Sequence, residues 1–321
     1  MPVTGAHPAL GVALTLLVAL AFATMDTLTR FLGGLLPVLL ILTTRYAVQA
    51  VGMAAWLART PARLRPRHPR FQVVRGLLLL ATSACTFYGV QQVPVPEFTA
   101  IFMLSPVLVT LLAALWLGEH VSPWRWVLVA GGFAGVLIVI RPGSGLFGWA
   151  VLYPLGGAAA YALFQALTRK LAALEDPLTT HFWTGLVGAV VMLPVLAASP
   201  LDLAAVLGAA TPGQWALLGA IALLGSTGHL VLIFALGMAP ASRLMPFIYV
   251  QIAFAALWGW VLFRHWPDAW AWAGMAVISA CGAATVWLNL RPASPTAPTA
   301  PTAAPHATVA ASSAARAGPA G

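Results

Sequence analysis

A chain of 321 residues that is 61% hydrophobic and 7% charged cannot clothe a water-facing surface in polar groups; a soluble domain devotes about 25% of its residues to charge. It belongs in lipid, and its 13 tryptophans suit the membrane interface. The net charge of +9 comes from arginines that fall beside apolar runs, which sets aside the nucleic-acid reading that a basic chain otherwise invites.

Apolar runs near 20 residues long recur at about 9–29, 35–58, 71–92, 97–117, 124–140, 147–168, 178–197, 214–236, 242–263 and 268–289, which predicts ten membrane-spanning helices. The first lacks a basic stretch before it and is long enough to span, so it reads as a helix rather than a cleaved leader. Between the second and third runs, Arg59, Arg63, Arg65, Arg67, Arg70 and Arg75 fall in one short stretch, the mark of a cytoplasmic loop. "VPVPE" precedes span 4 and places Pro96 in a helix's first turn. "SPWRW" opens span 5, with Ser122 as the expected N-cap and Pro123 at the first helical position. "WPDAW" opens span 10 in the same way. From Pro292 onward a Pro/Ala/Thr/Ser tract has almost nothing to bury and reads as a disordered cytoplasmic tail.

With ten spans and the N-terminus inside, the inner segments collect those six arginines plus Arg125, Arg169, Lys170, Arg243 and Arg291. The outer loops hold Arg30, Arg141 and Arg264. Eleven basic residues against three predict that orientation, with both termini cytoplasmic.

The chain also repeats itself. "DTLTR" at 26–30 returns as "QALTR" at 165–169, and "LWLGEHVSPWRW" at 115–126 is echoed by "WVLFRHWPDAWAW" at 260–272. Spans 1–5 therefore correspond to spans 6–10, and because five is odd the second copy enters the bilayer from the opposite side. The expected organisation is a first repeat over 1–143, a second over 144–290 and the tail over 291–321. The fold class is all-α integral membrane, ten transmembrane helices in two inverted five-helix repeats, a carrier design with its site near the midplane.

"LGEHVSPWRWVLVAGGFAGVLIVIRPG" resembles the end of the first EamA domain in the drug/metabolite transporter superfamily, and "STGHLVLIFALGMAPASRLMPFIYVQIAFAALWGWVLF" resembles the corresponding part of the second. Arg45 and "LTRKLA" fit as well, so the resemblance covers about residues 9–290. It implies a ten-helix inner-membrane carrier, usually an exporter of metabolites, amino acids or toxic compounds. One departure is Phe263-Arg264, where the family's second domain usually carries an acidic residue after "FG".

Intramembrane ionisable groups are expensive, so each is a functional candidate. Arg45 lies near the midplane of span 2 and Asp26 near the outer end of span 1; they are expected either to pair or to leave Arg45 holding an anionic substrate group. Gln165, the repeat mate of Asp26, makes the two copies asymmetric. His229 in span 8 is a candidate for the cavity and for proton coupling, whereas His181 reads as interfacial. Tyr88, Tyr249 and Gln251 complete the expected substrate contacts. Glu97 reads as a helix-dipole partner, Glu119 as an interfacial contact near Arg125, and Gly131 with Gly135 as a close-packing face.

Cys85 and Cys281 lie inside apolar runs, which speaks against a disulfide framework or a zinc site. The sequence points to no cofactor and no metal. It has no GxxxxGK[ST] motif to host ATP, so energy must come from a substrate gradient, a coupling proton or ion, or an external partner. A lipid-acting enzyme would need grouped acid, base or metal ligands, and a channel a continuous polar lining; neither pattern is present. The expected function is secondary transport of a small metabolite, amino-acid-like or drug-like, by alternating access and outward in direction. The expected partners are that substrate and the lipid bilayer. The sequence is silent on substrate identity and oligomeric state.

Overall fold

The computed structural model describes residues 8–59, 65–116, 123–171, 174–238, 244 and 247–290. The expected tail, Arg63, Arg243, Glu119, His120 and Ser122 lie outside them. Among the described residues the fold is all helical: α1 (Pro8–Gly33), α2 (Val38–Leu57), α3 (Pro69–Gln92), α4 (Val95–Phe102), α5 (Ser105–Trp116), α6 (Pro123–Ile140), a 3₁₀ turn (Gly148–Val151), α7 (Leu152–Leu171), α8 (Pro177–Ala197), α9 (Leu203–Ala209), α10 (Pro212–Met238), α11 (Val250–Phe263) and α12 (Ala269–Leu290).

Six helical segments are long and apolar enough to cross a bilayer: Ala9–Gly33, Val38–Leu57, Pro69–Gln92, Gly148–Thr168, Pro177–Ala197 and Pro212–Ala235. Shorter apolar helices run over Val95–Val109, Trp126–Ile140, Val250–Phe263 and Ala269–Thr285. The chain is thus a multi-pass membrane protein.

Local chemistry sets the helix limits. α6 starts at Pro123, whose missing N–H costs nothing in a first turn. Asp176 caps α8 by accepting from the backbone N–H groups of Leu178 and Thr179 at 2.9 and 3.1 Å, and Asp268 accepts from Ala271 N–H at 2.8 Å to start α12. α11 ends at Arg264 in a left-handed conformation (φ 54°), a position that usually falls to glycine.

The expected span 4 is not one helix. It breaks at Met103–Leu104 into α4 and α5, because Pro106 lacks an N–H and its ring conflicts with the carbonyl of Phe102 four residues back. A second correction concerns Arg75. Rather than standing in a loop, it is buried inside α3 at 6% exposure.

The principal helix pairs are α1 with α10, α6 with α12, α2 with α8, and α3 with α7; α1 with α11, α2 with α10, α3 with α8, and α5 with α7 follow. The two largest buried apolar clusters among the described residues occupy different parts of the bundle. One lies among α4, α5, α6, α11 and α12 around Leu104, Val139 and Met275. The other lies among α1, α2, α3, α8 and α10 around Leu42, Tyr46, Phe87 and Ile221. Glycine makes the closest approaches possible: a side chain at Gly188 would run into the Tyr46 ring, and one at Gly274 into Val139.

Candidate functional site

Where the α4–α5 break meets α1, α2, α3, α7, α10 and α11, a cavity of about 100 Å³ opens inside the bundle. Its wall includes five aromatic rings, those of Phe22, Phe87, Phe98, Phe102 and Tyr161, and the broken helix contributes Met103, Ser105 and Pro106. Irregular backbone at membrane depth is tolerated where it lines such a space. Pockets for drug-sized ligands measure about 300–1,000 Å³, so the cavity takes a small ligand or must widen for a larger one.

Arg45 stands in the wall, 1% exposed on α2. Its Nη1 donates to Ser83 Oγ on α3 at 2.9 Å, and the Tyr46 hydroxyl shares that Ser83 oxygen at 2.9 Å. The guanidinium lies over the Tyr46 and Phe87 rings, 4.9 and 5.9 Å from their centroids, an attractive geometry for a cation. Among the described residues its Nε has no partner. On α10, Gly225 faces Arg45 so closely that a side chain there would collide with the guanidinium stem.

Asp26 shares the cavity, 5% exposed on α1, with Oδ1 unpartnered. Of the two arrangements expected from sequence, the direct Asp26–Arg45 ion pair is not found among the described residues. The ion pairs among the described residues are His68–Glu175, Arg141–Asp268 and His265–Glu97. Arg45 turns toward Ser83 and the two aromatic faces instead. One cavity thus presents a guanidinium and a carboxyl group at separate points.

Three more expected residues line the same space: Gln165 on α7, His229 on α10 and Gln251 on α11. His229 Nδ1 lies 2.9 Å from Gly225 O. A carbonyl only accepts, so Nδ1 carries a proton in this contact. The Phe22 ring, 4.8 Å away, backs the imidazole.

Tyr88 and Tyr249 are not in the wall. Tyr88 sits on the outer face of α3 at 37% exposure, and Tyr249 is buried against Gly282 on α12. His181, near the start of α8, is packed against protein: it is 4% exposed, and Gln49 Nε2 donates to its carbonyl at 3.1 Å. Glu97 is a side-chain partner, bonded to His265 Nε2 at 2.9 Å.

Sequence reasoning passed over Thr82, Ser83 and Thr86, which face the cavity from α3. Their signal was available: three hydroxyls at i, i+1 and i+4 in an apolar run mark one polar helix stripe. Among the described residues no group of three His, Cys, Asp or Glu side chains could hold a metal, and Cys85 and Cys281 are free thiols. Outside the membrane, backbone N–H donation from Ala271, with help from Arg141 at 2.7 Å, holds the Asp268 carboxyl below the usual range.

Comparison with known proteins decides the family. The model for the EamA-like transporter family matches twice, over residues 9–141 and 148–288. The chain belongs to the EamA-like transporter family. It is similar to a riboflavin transporter of Rhizobium johnstonii, 31% identical over 68% of this chain and 70% of the relative. An S-adenosylmethionine uptake transporter of Rickettsia conorii is 25% identical over 84% of this chain and 89% of the relative. A pseudopaline exporter of Pseudomonas aeruginosa is 26% identical over 84% and 94%. A crystal structure of another protein, 21% identical, matches with a TM-score of 0.60 over 89% of this chain and 98% of that one, a likeness of fold alone. These relatives are drug/metabolite-type carriers of small molecules, and the chain is a transporter rather than an enzyme.

Proposed function

We propose that this chain is a secondary carrier that moves a small metabolite bearing a carboxylate, amino-acid-like in its charge pattern, by alternating access through the Arg45 cavity. The observation that carries the reading is Arg45 itself. It is a buried guanidinium in a cavity wall, and among the described residues its Nε has no partner and no carboxylate is paired to it. Such a group is costly in lipid and is stabilised by an anion. The unpaired Asp26 oxygen offers a complementary place for an ammonium group, and the aromatic wall suits a flat or apolar side group.

Ten spans follow if the four shorter apolar helices cross with the six long ones. We read them as two inverted repeats of five, over 1–143 and 144–290, followed by the tail. The helix pairing supports this. Exchanging α1 with α7, α2 with α8, α3 with α10, α4 and α5 with α11, and α6 with α12 maps the principal contacts onto one another. Two-fold related halves let one site face either side in turn. Basic residues on the inner segments support a bacterial inner-membrane setting with both termini cytoplasmic. The relatives' names include both uptake and export, so the sign of measured flux assigns direction.

The test is counterflow in proteoliposomes against a panel of labelled amino acids and other carboxylates. Saturable exchange of at least one acid, lost when its carboxylate is esterified, is the expected outcome. Equal flux of acid and ester, or conversion of the solute into a new molecule, contradicts it.

A further inference from the structure

Away from the cavity, a second buried arginine fastens the two matched segments together. Arg75 lies two turns into α3, in the first segment. Its Nε donates to Thr168 Oγ1 on α7 at 2.7 Å, and its Nη1 donates to Thr184 Oγ1 at 2.5 Å and to Thr180 O at 3.2 Å on α8. The guanidinium also lies over the Phe164 ring at 4.4 Å. α7 and α8 belong to the second segment. Three further contacts close this corner: Gln72 Nε2 donates to Thr180 Oγ1 at 3.0 Å, Gln49 to the His181 carbonyl, and His68 N–H to Glu175 Oε1 at 2.6 Å.

Each of these Arg75 partners is neutral. A buried guanidinium–carboxylate pair would strand an anion whenever the corner opened. Here the open state has its substitutes in place. Thr184 Oγ1 already donates to Thr180 O at 2.9 Å and Thr168 Oγ1 to Phe164 O at 2.7 Å, so neither hydroxyl is orphaned when Arg75 leaves. Arg75 stands close enough to its helix start for the side chain to extend toward water. The bonds are numerous enough to hold and cheap enough to exchange.

We propose that Arg75 is the gate residue at this end of the bundle, fastening α3 to α7 and α8 in the closed state and releasing them when the cavity opens to the cytoplasm. This rests on the carrier reading and its orientation. It does not depend on which solute is carried.

The gate is read without substrate. In full-length protein lacking Cys85 and Cys281, a reporter cysteine replaces Val187, which is buried beside Gly76 at the α3–α8 contact. Inside-out vesicles are treated with a membrane-impermeant maleimide. Arg75→Ala is expected to raise the initial labelling rate about tenfold, with Arg75→Lys intermediate. A second variant, Thr168→Val with Thr184→Val, keeps the arginine but removes two acceptors and is expected to raise labelling as well. A control cysteine at Leu218, buried on α10, should label no faster in either variant. Unchanged Val187→Cys labelling in variants that remain monodisperse overturns the gate, as does an equal rise at both reporters, which is general loosening. Failure of the Arg45 reading appears separately, as acid and ester moved alike with gating intact.

Discussion

Arg45 and Arg75 have the same charge and nearly the same burial, but their surroundings differ. Arg45 has one hydrogen bond, two aromatic faces and an unpartnered Nε at a cavity wall. Arg75 has three hydrogen bonds and lies in a corner where glycines bring the helices together. The difference lies in unfilled valence. A guanidinium left short of acceptors beside a void is arranged to receive a ligand, whereas one supplied with neutral acceptors from the opposite segment is arranged to hold and release.

The comparison can be broken first at Arg45. Arg45→Ala should lower flux of the best-transported acid about 100-fold at unchanged membrane expression, the scale of a lost buried charge-assisted pair. Arg45→Lys should recover only part, since an ammonium lacks the planar fork. At Arg75, the alanine variant should lower maximal flux about tenfold while KM moves less than about twofold, because holding rather than binding is lost. Tyr46→Phe sharpens the contrast further. It frees the Ser83 oxygen that positions Arg45, and substrate affinity should fall about three- to tenfold, the worth of one neutral hydrogen bond.

The smallest effect belongs to a third arginine, Arg141, paired in the open with Asp268. Asp268→Asn should destabilise by less than about 1 kcal/mol. Its carboxyl is depressed in the folded protein, so the contribution is fully present above the unfolded value of about 4. It is lost as pH falls through the lower folded value. Thermal unfolding of wild type and variant should converge only in strong acid.

Much of the bundle was legible as depth, and little of it as direction. Hydropathy placed the apolar runs and Pro123 marked the start of α6, whereas "WPDAW", read as opening the last span in the same way, leaves Pro267 ahead of α12 and makes Asp268 its cap. The same reading took residues 97–117 as one helix, because the apolar signal continues through Ser105-Pro106 although the backbone hydrogen bonding cannot. Which side of a helix faces a neighbour needs its rotation, and one residue turns the helix by about 100°. Phe87 is therefore in the cavity wall while Tyr88 beside it is on the outer face. Arg75 was counted with loop arginines because charge near a run's end reads as loop. Only the placement of Thr168, Thr180 and Thr184 around it explains its burial.

The measurement that bears most directly on the cavity is equilibrium binding of one transported acid and its methyl ester to wild type and to Arg45→Ala. If Arg45 holds the carboxylate, the wild type prefers the acid by at least about tenfold and the variant binds acid and ester alike. The same acid-to-ester ratio in both proteins would contradict the account and place the anion's partner elsewhere.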